Sequence, residues 1–186
     1  LACVLHGFRR SPSMRDKRVL VYGAGSIGLL ATAVARAEGA TSIDIIEPSR
    51  VRRDAAMEFG ATNVFAPGQR TTDRDIDIVI EASGHISAVS DAIKRLAYRG
   101  TLLQMGVCSP EDSIHLHPYD LFDRELTLTG SQSLESSYPD AIKKIADLPN
   151  LAERMVSHTF PLADFAAALE AARSEGARKV QILPQV

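Results

Sequence analysis

Residues 18–28 read Arg18-Val19-Leu20-Val21-Tyr22-Gly23-Ala24-Gly25-Ser26-Ile27-Gly28, a strand-like apolar run that leads directly into a G-x-G-x-x-G turn. A helix is predicted to follow and to end near Gly39, with one apolar face formed by Ile27, Leu30, Val34 and Ala37. The next apolar run, 42–46, is followed by Glu47, nineteen residues after Gly28. Strand, glycine turn, helix, strand and carboxylate in this order are typical of a dinucleotide site.

Strand-like runs continue to alternate with helices of about ten residues beyond this unit. Helices are predicted at 50–59 and 86–96, and strands at 63–65, 75–81 and 100–105, with a loop through Asp73. This alternation predicts an α/β fold, a Rossmann-type doubly wound parallel sheet with right-handed crossovers.

The pattern changes after Ser109. The segment Ile114–His117 alternates like a half-exposed strand, and the remaining elements are predicted at 118–122, 126–130, 138–148, 164–174 and 179–183. The chain begins at Leu1 without a methionine, as if inside a helix. We therefore expect a piece of a longer polypeptide, and the last part of the chain looks like a return to something outside the sheet.

The composition of the 186-residue chain, 45% apolar and 24% charged with a net charge of −2, is ordinary for a soluble globular protein. No basic cluster predicts nucleic-acid binding, and no run approaches the ~18 apolar residues that span a bilayer. Cys3 and Cys108 are too far apart in sequence for a CxxC pair. We therefore expect a reducing compartment and a cytoplasmic location.

Each glycine of the turn would have a specific role in a dinucleotide site. Gly23 permits the tight turn, Gly25 lets the backbone approach a pyrophosphate, and Gly28 lets the helix pack against the strand. The N–H groups from Ser26 onward face the anion at the positive end of the helix dipole. Glu47 would accept hydrogen bonds from the adenosine ribose and repel a 2′-phosphate, which favours NAD over NADP.

Other interpretations of the same residues remain open. The glycines also fit a generic strand-to-helix turn, and Glu47 also fits an acid that begins a helix. Arg50 and Arg52 lie close enough to Glu47 to weaken the preference for NAD, although a solvated helix face explains both better.

Two later strand ends are further candidates because ligands lie across the carboxyl ends of parallel strands. Segment 82–84 is a candidate for the adenine side and segment 105–107 for the nicotinamide side. His115 and His117 share one face of a predicted strand, but no Cys, Asp or Glu partner is evident, so a partly exposed strand is favoured over a metal site. No catalytic residue and no metal ligand is predicted.

At the level of whole motifs, the chain resembles the cofactor domain of the zinc-type medium-chain dehydrogenases, and within them the polyol (sorbitol-like) dehydrogenases. The matching stretches are 1–7, 19–28, 53–62, 77–84, 100–106, 158–162 and 179–180. The resemblance covers essentially the whole chain.

The resemblance implies a larger NAD(P)-dependent oxidoreductase that acts on CH–OH groups. A barrel-like domain before Leu1 would carry the catalytic zinc, all of whose family ligands lie outside this sequence. By the same resemblance, 1–15 would be a linking helix from that missing catalytic domain, 16–149 the NAD-binding Rossmann domain and 150–186 a helix-strand segment that returns to the catalytic domain. Hydride would pass between a secondary alcohol or polyol, or its carbonyl product, and nicotinamide. The fragment alone is expected to bind dinucleotide weakly and to be inactive.

The resemblance also assigns roles residue by residue. The pyrophosphate would lie against Gly23, Gly25, Ser26, Ile27 and Gly28. Glu47 would bind the adenosine ribose, Arg52 would lie beside the adenosine, and Ser83 would flank the adenine. The nicotinamide side would be formed by Met105, Gly106, Val107 and Thr129, with Cys3 near the nicotinamide face or simply packed.

The segment Ile114–His117 matches the edge by which family members pair, which implies a homodimer or homotetramer. Two other functions compete with the dehydrogenase. One is a non-catalytic NAD(H)-sensing Rossmann domain, against which the tail argues. The other is an S-adenosylmethionine-dependent methyltransferase, which the third glycine and the distance to Glu47 disfavour.

Overall fold

The structure, a computed structural model, describes residues 1–70 and 74–184. Within these residues the helices are α1 (Ala2–Phe8), α2 (Ser26–Ala37), α3 (Arg50–Glu58), α4 (Ile86–Arg95), α5 (Pro118–Asp123), α6 (Tyr138–Ala146), α7 (Leu151–Met155) and α8 (Phe165–Ala172), with a 3-10 turn at Leu162–Asp164. The strands are β1 (Arg18–Tyr22), β2 (Ser42–Ile46), β3 (Asn63–Phe65), β4 (Ile76–Glu81), β5 (Leu96–Gln104), β6 (Thr127–Gly130), β7 (Val156–Pro161) and β8 (Lys179–Leu183). Residues 71–73, at the end of the predicted loop through Asp73, and 185–186, at the end of the predicted returning segment, lie outside the described residues.

Six strands form one parallel sheet in the order β3-β2-β1-β4-β5-β6. This order confirms the predicted Rossmann-type doubly wound α/β fold. The strand order reverses between β1 and β4, because β2 pairs with β1 on one side and β4 pairs with it on the other. Ligands of open parallel sheets bind beyond the strand ends at such a point, and the glycine turn lies there.

The centre of the sheet is buried on both faces. Alternate residues of β1 and β4 enter two different clusters of buried apolar side chains. One cluster joins the sheet to α1, α2 and α7, and the other joins it to α4. A parallel sheet covered by helices on both faces explains the nearly continuous apolar runs of its strands.

Helix α2 does not bury the single face that its sequence predicts. Val34 is fully buried, but Ile27 and Leu30 are only half-buried and Ala37 is exposed. Leu29 and most of the alanines of α2 are buried instead. Because the sheet and α1 both contact α2, its burial extends around most of its circumference rather than along one stripe.

The segment Ile114–His117 is not a strand in the described chain, which corrects the prediction. Its alternation is real, since Ile114 and Leu116 are half-buried against the core while His115 and His117 are exposed. The position beside β5 is taken by β6, so the segment packs on the sheet without joining it. The strand β5 also begins earlier than predicted, because Leu96 already pairs with Ile76.

The tail contains elements that the sequence did not predict. Helix α7 precedes β7, and its Leu151 and Met155 are buried in the main core. Strand β7 then pairs with β8 in a separate two-stranded parallel sheet, against which α8 packs. The expected apolar face of α8 is largely exposed, with Phe165 51% and Leu169 47% accessible. That this segment belongs to another domain remains a prediction.

Candidate functional site

The glycine turn after β1 contains two glycines with opposite surroundings. A β-carbon on Gly28 would overlap with the Gly23 carbonyl oxygen, so Gly28 is required by the contact between α2 and the turn. A β-carbon on Gly25 would have no other atom within 4 Å. The protein's own packing therefore requires a glycine at 28 but not at 25. The space in front of Gly25 remains open to a ligand that approaches the backbone.

The open space lies at the N-terminus of α2. Gly25 is the N-cap residue of this twelve-residue helix, and no side chain caps it. The first N–H groups of a helix have no partner within the helix and carry a partial positive charge. An oxyanion in front of Gly25 would therefore meet the N–H groups of Ser26, Ile27 and Gly28.

Glu47 is fixed beside this turn by two backbone N–H groups. Its carboxylate is buried, with 4% of the residue exposed. One oxygen accepts a hydrogen bond from Ala24 N at 2.8 Å, and the other accepts one from Ser49 N at 3.0 Å. The predicted ribose-binding acid thus lies in contact with the predicted pyrophosphate turn.

A cavity of about 550 Å³ opens between the glycine turn, the ends of β2 and β4, and α4. Its lining combines four of the predicted site residues, namely Gly23, Gly25, Glu47 and Arg52, with a fifth, Ser83, from the segment after β4. Residues that the sequence did not single out also line it, among them Tyr22, His85, Asp91 and Arg95.

Tyr22 and Asp91 form a polar contact in this cavity. The Tyr22 hydroxyl donates a hydrogen bond to Asp91 Oδ2 at 2.6 Å, and Arg95 donates one to Asp91 Oδ1 at 3.0 Å. Burial, and then the hydrogen bond to Asp91, raises the pKa of the Tyr22 hydroxyl well above its ordinary range. Tyr22 resembles an ordinary strand residue in the sequence, which is why pattern reasoning missed it.

The two arginines near Glu47 differ in the structure. Arg50 is exposed and lies 3.9 Å from Asp54 on the surface of α3, as expected of a solvated helix face. Arg52 is half-buried, lines the cavity, and donates a hydrogen bond to the Glu175 carbonyl oxygen at 3.3 Å.

The tail reaches the glycine turn at a second point. The Ser26 hydroxyl donates a hydrogen bond to the Arg178 carbonyl oxygen at 2.5 Å. Segment 174–178 is thus hydrogen-bonded to Ser26 on the predicted pyrophosphate side of the site and to Arg52 on the predicted adenosine side.

A second cleft, of about 600 Å³, opens on the other side of the β5 end. Three residues predicted for the nicotinamide side, Met105, Gly106 and Val107, line it together with His6 and Gly130. Thr129 is half-buried in β6, pairs with Leu103 and precedes Gly130, but it is not among the lining residues. Cys3 is half-buried in α1 and also lies outside the lining.

Glu81 is a candidate that the sequence analysis missed. It ends β4 between the two cavities and its side chain is fully buried. An acidic residue that directly follows the apolar run Ile78-Val79-Ile80 could have drawn attention to it. Burial, and then the charge of Glu81, raises the pKa of the nearby Cys108 thiol.

The described residues contain no group of three or more His, Cys, Asp or Glu side chains that could hold a metal ion. His115 and His117 are both exposed, with their ring centroids 4.6 Å apart in an edge-to-face arrangement. In the part of the chain that the structure covers, the helices are too short or too polar to cross a bilayer.

Comparison with known proteins gives an independent result. Residues 26–147 match the family model described as zinc-binding dehydrogenase. D-altritol 5-dehydrogenase of Agrobacterium fabrum is 29% identical over 88% of this chain and 51% of its own length. Sorbitol dehydrogenase of Bombyx mori is 28% identical over 98% of this chain and 55% of its own length.

A solved structure from Sinorhizobium meliloti 1021, described as a zinc-binding dehydrogenase bound to NADP, superimposes with a TM-score of 0.87 at 26% identity. The match covers 98% of this chain and 57% of that one. The chain thus spans about half the length of the proteins that it matches.

Proposed function

As the chain belongs to the zinc-binding dehydrogenase family, we propose that it is the NAD-binding part of a longer alcohol or polyol dehydrogenase. The intact enzyme would transfer a hydride between a secondary alcohol, or its carbonyl product, and nicotinamide. The observation that carries this proposal is the open space in front of Gly25 at the N-terminus of α2, with the Glu47 carboxylate fixed beside it.

The residues around the glycine turn fit the pyrophosphate and the adenosine ribose of a dinucleotide. The N–H groups of Ser26, Ile27 and Gly28 bind the pyrophosphate, which Gly25 admits because it has no β-carbon. Glu47 accepts hydrogen bonds from the ribose hydroxyls through lone pairs that Ala24 and Ser49 leave unused.

The adenine would occupy the cavity beside Ser83 and Arg52, and the nicotinamide would occupy the cleft at Met105, Gly106 and Val107, near Thr129. When bound, NAD accepts or returns the hydride. The role of this chain is to fix the position of the nicotinamide and to form one wall of the substrate cleft.

The preference for NAD over NADP depends on Glu47. A buried carboxylate beside the ribose would repel a 2′-phosphate, which carries charge of the same sign. Arg52 lines the same cavity and is the group that would favour a 2′-phosphate. The superimposed Sinorhizobium protein binds NADP, so this preference is a property that must be measured on the present chain.

Zinc enters the proposal only for the longer enzyme. The zinc ligands of the proposed enzyme would lie in the part of the longer polypeptide outside this chain, as the family resemblance implies. The proposed partners are an alcohol or polyol substrate and a second copy of the chain that pairs at Ile114–His117, giving a homodimer or homotetramer. The proposed location is the cytoplasm.

Calorimetric titration of the chain with NADH, NADPH and S-adenosylmethionine tests this proposal. We expect saturable binding of NADH that is about 10- to 100-fold tighter than that of NADPH, since one charged hydrogen-bonding group is worth about 1.5–3 kcal/mol. Glu47→Gln should reduce this preference, whereas Glu111→Gln, at an exposed position, should leave it unchanged. Binding of S-adenosylmethionine alone would contradict the proposal.

A further inference from the structure

Glu81 is a buried carboxylate that accepts hydrogen bonds from two separate segments. One oxygen accepts from Ser83 N at 2.8 Å and from the Ser83 hydroxyl, and both oxygens lie 3.1 Å from Gly84 N. The other oxygen accepts from Gln104 Nε2 at 2.7 Å. Ser83 and Gly84 follow β4, whereas Gln104 ends β5, so one side chain bridges the ends of two neighbouring strands.

The backbone of Glu81 reinforces this bridge. Its carbonyl oxygen accepts hydrogen bonds from Met105 N and Gly106 N, each at 2.8 Å. The two segments are also in close contact, because a β-carbon on Gly106 would overlap with both Gly84 N and the Glu81 carboxylate. Their spacing is therefore set by direct contact around the Glu81 side chain.

The two bridged segments belong to different cavities. Ser83 lines the 550 Å³ cavity, whereas Met105 and Gly106 line the 600 Å³ cleft. We infer that Glu81 is a positioning residue that sets the spacing between these two cavities, and hence between the adenosine and nicotinamide ends of a bound dinucleotide. This inference rests on the proposed function.

The chemistry of the carboxylate makes the inference testable. Every one of these partners is a donor, so both oxygens must act as acceptors. Glu81→Gln keeps the size of the side chain but turns one acceptor into an NH₂ group. That group would face either the N–H groups of Ser83 and Gly84 or the amide of Gln104, donor against donor.

The experiment compares two ligands, NADH and ADP-ribose, by calorimetry on the 186-residue chain. ADP-ribose lacks the nicotinamide and uses only the glycine turn and the first cavity. In Glu81→Gln the affinity for NADH should fall about tenfold, as expected when a buried donor loses its acceptor, while that for ADP-ribose should change less than about threefold. The readout is the affinity for NADH divided by the affinity for ADP-ribose, because a general loss of folded protein would lower both affinities by the same factor.

Two further variants complete the test. Gln104→Met removes the donor that β5 offers to Glu81, and with it the hydrogen bond from Gln104 to the Gly106 carbonyl oxygen at 2.9 Å, so the ratio should fall in the same direction. This variant decides the matter if Glu81→Gln does not fold. Asp44→Asn is the matched control, since Asp44 is another buried strand carboxylate, bound to Arg70 and Asn63 and absent from the lining of both cavities. It should leave the ratio unchanged.

The outcomes separate this inference from the proposed function. A wild-type chain that binds neither ligand would overturn the proposed function, and the inference with it. A wild-type chain that binds both ligands, combined with an unchanged ratio in Glu81→Gln and Gln104→Met, would overturn the role of Glu81 alone. If the wild-type chain binds NADH and ADP-ribose with equal affinity, that role is also overturned, because the second cleft then contributes nothing to NADH binding.

Discussion

The six-stranded sheet and the two-stranded sheet of the tail are built in opposite ways. In β1 and β4 nearly every residue is buried, and helices cover both faces. In β7 and β8 every residue is half-buried or exposed, and α8 turns Phe165 and Leu169 toward solvent. The centre of the main sheet thus buries its apolar side chains within the chain, whereas the strands of the tail do not.

This difference separates what stabilises the fold from what the tail contributes. The apolar area removed from water, at about 25 cal/mol per Å², lies almost entirely in the main sheet and its helices. The tail is linked to that body by α7, by hydrogen bonds near the glycine turn and by an ion pair between Arg178 and Glu58 of α3. Substitutions in the two regions should therefore differ greatly in their effect on stability.

The largest effect is expected at Gly28, inside the main body. Gly28→Ala should lower the free energy of unfolding by about 3 kcal/mol or prevent folding, because the new methyl group overlaps a carbonyl oxygen that cannot move freely. Urea unfolding measures the loss. Gly25→Ala is the matched control, since its methyl group meets no protein atom; it should keep wild-type stability but lose NADH binding. Equal stability of the two variants would contradict this account of the turn.

An intermediate effect is expected from Tyr22, which lies at the carboxyl end of β1 and lines the first cavity. Burial, and then the hydrogen bond to Asp91, raises the pKa of its hydroxyl in the folded state. The folded protein therefore keeps a proton that the unfolded chain releases near pH 10, so this contribution is complete below about pH 10 and is lost above it at about 1.4 kcal/mol per pH unit. Urea unfolding from about pH 8 to about pH 11 should show the decline.

Tyr22→Phe provides the comparison, because it removes the ionisable group and should flatten this part of the pH profile. Tyr119→Phe, at an exposed tyrosine, should leave the decline as it is. A decline of the same slope in Tyr22→Phe would mean that another group is responsible.

The smallest effect is expected in the tail. Leu169→Ala should change the free energy of unfolding by less than about 0.5 kcal/mol, because the side chain is already 47% exposed. The same substitution at the fully buried Leu103 of β5 should cost about 2–5 kcal/mol. Similar losses in the two variants, measured by urea unfolding, would show that the tail is as much a part of the core as the sheet.

The elements that depend on local pattern were predictable from the sequence. The strands β1, β2 and β4 are apolar runs, and Glu47 follows Gly28 at the spacing of a βαβ unit. These local features were sufficient to predict the doubly wound fold. The roles of Glu81 and Tyr22 were not predictable, because these roles come from hydrogen-bond partners on other elements, although the position of Glu81 at a strand end was a signal. Ile114–His117 shows the same limit, since alternation predicts which side chains are buried but not whether a neighbouring strand is present.

The bond from Ser26 to Arg178 has a thermodynamic consequence. It joins the first residue of α2, where the proposed cofactor binds, to segment 174–178 of the tail, which also contacts α3 through Arg52 and Glu58. Coupling of this kind is reciprocal: whatever restrains segment 174–178 must alter the affinity of the glycine turn for its ligand, and the ligand must restrain the segment by the same free energy. The mobility of segment 174–178, which lies outside the sheet, would then depend on whether a ligand occupies the site.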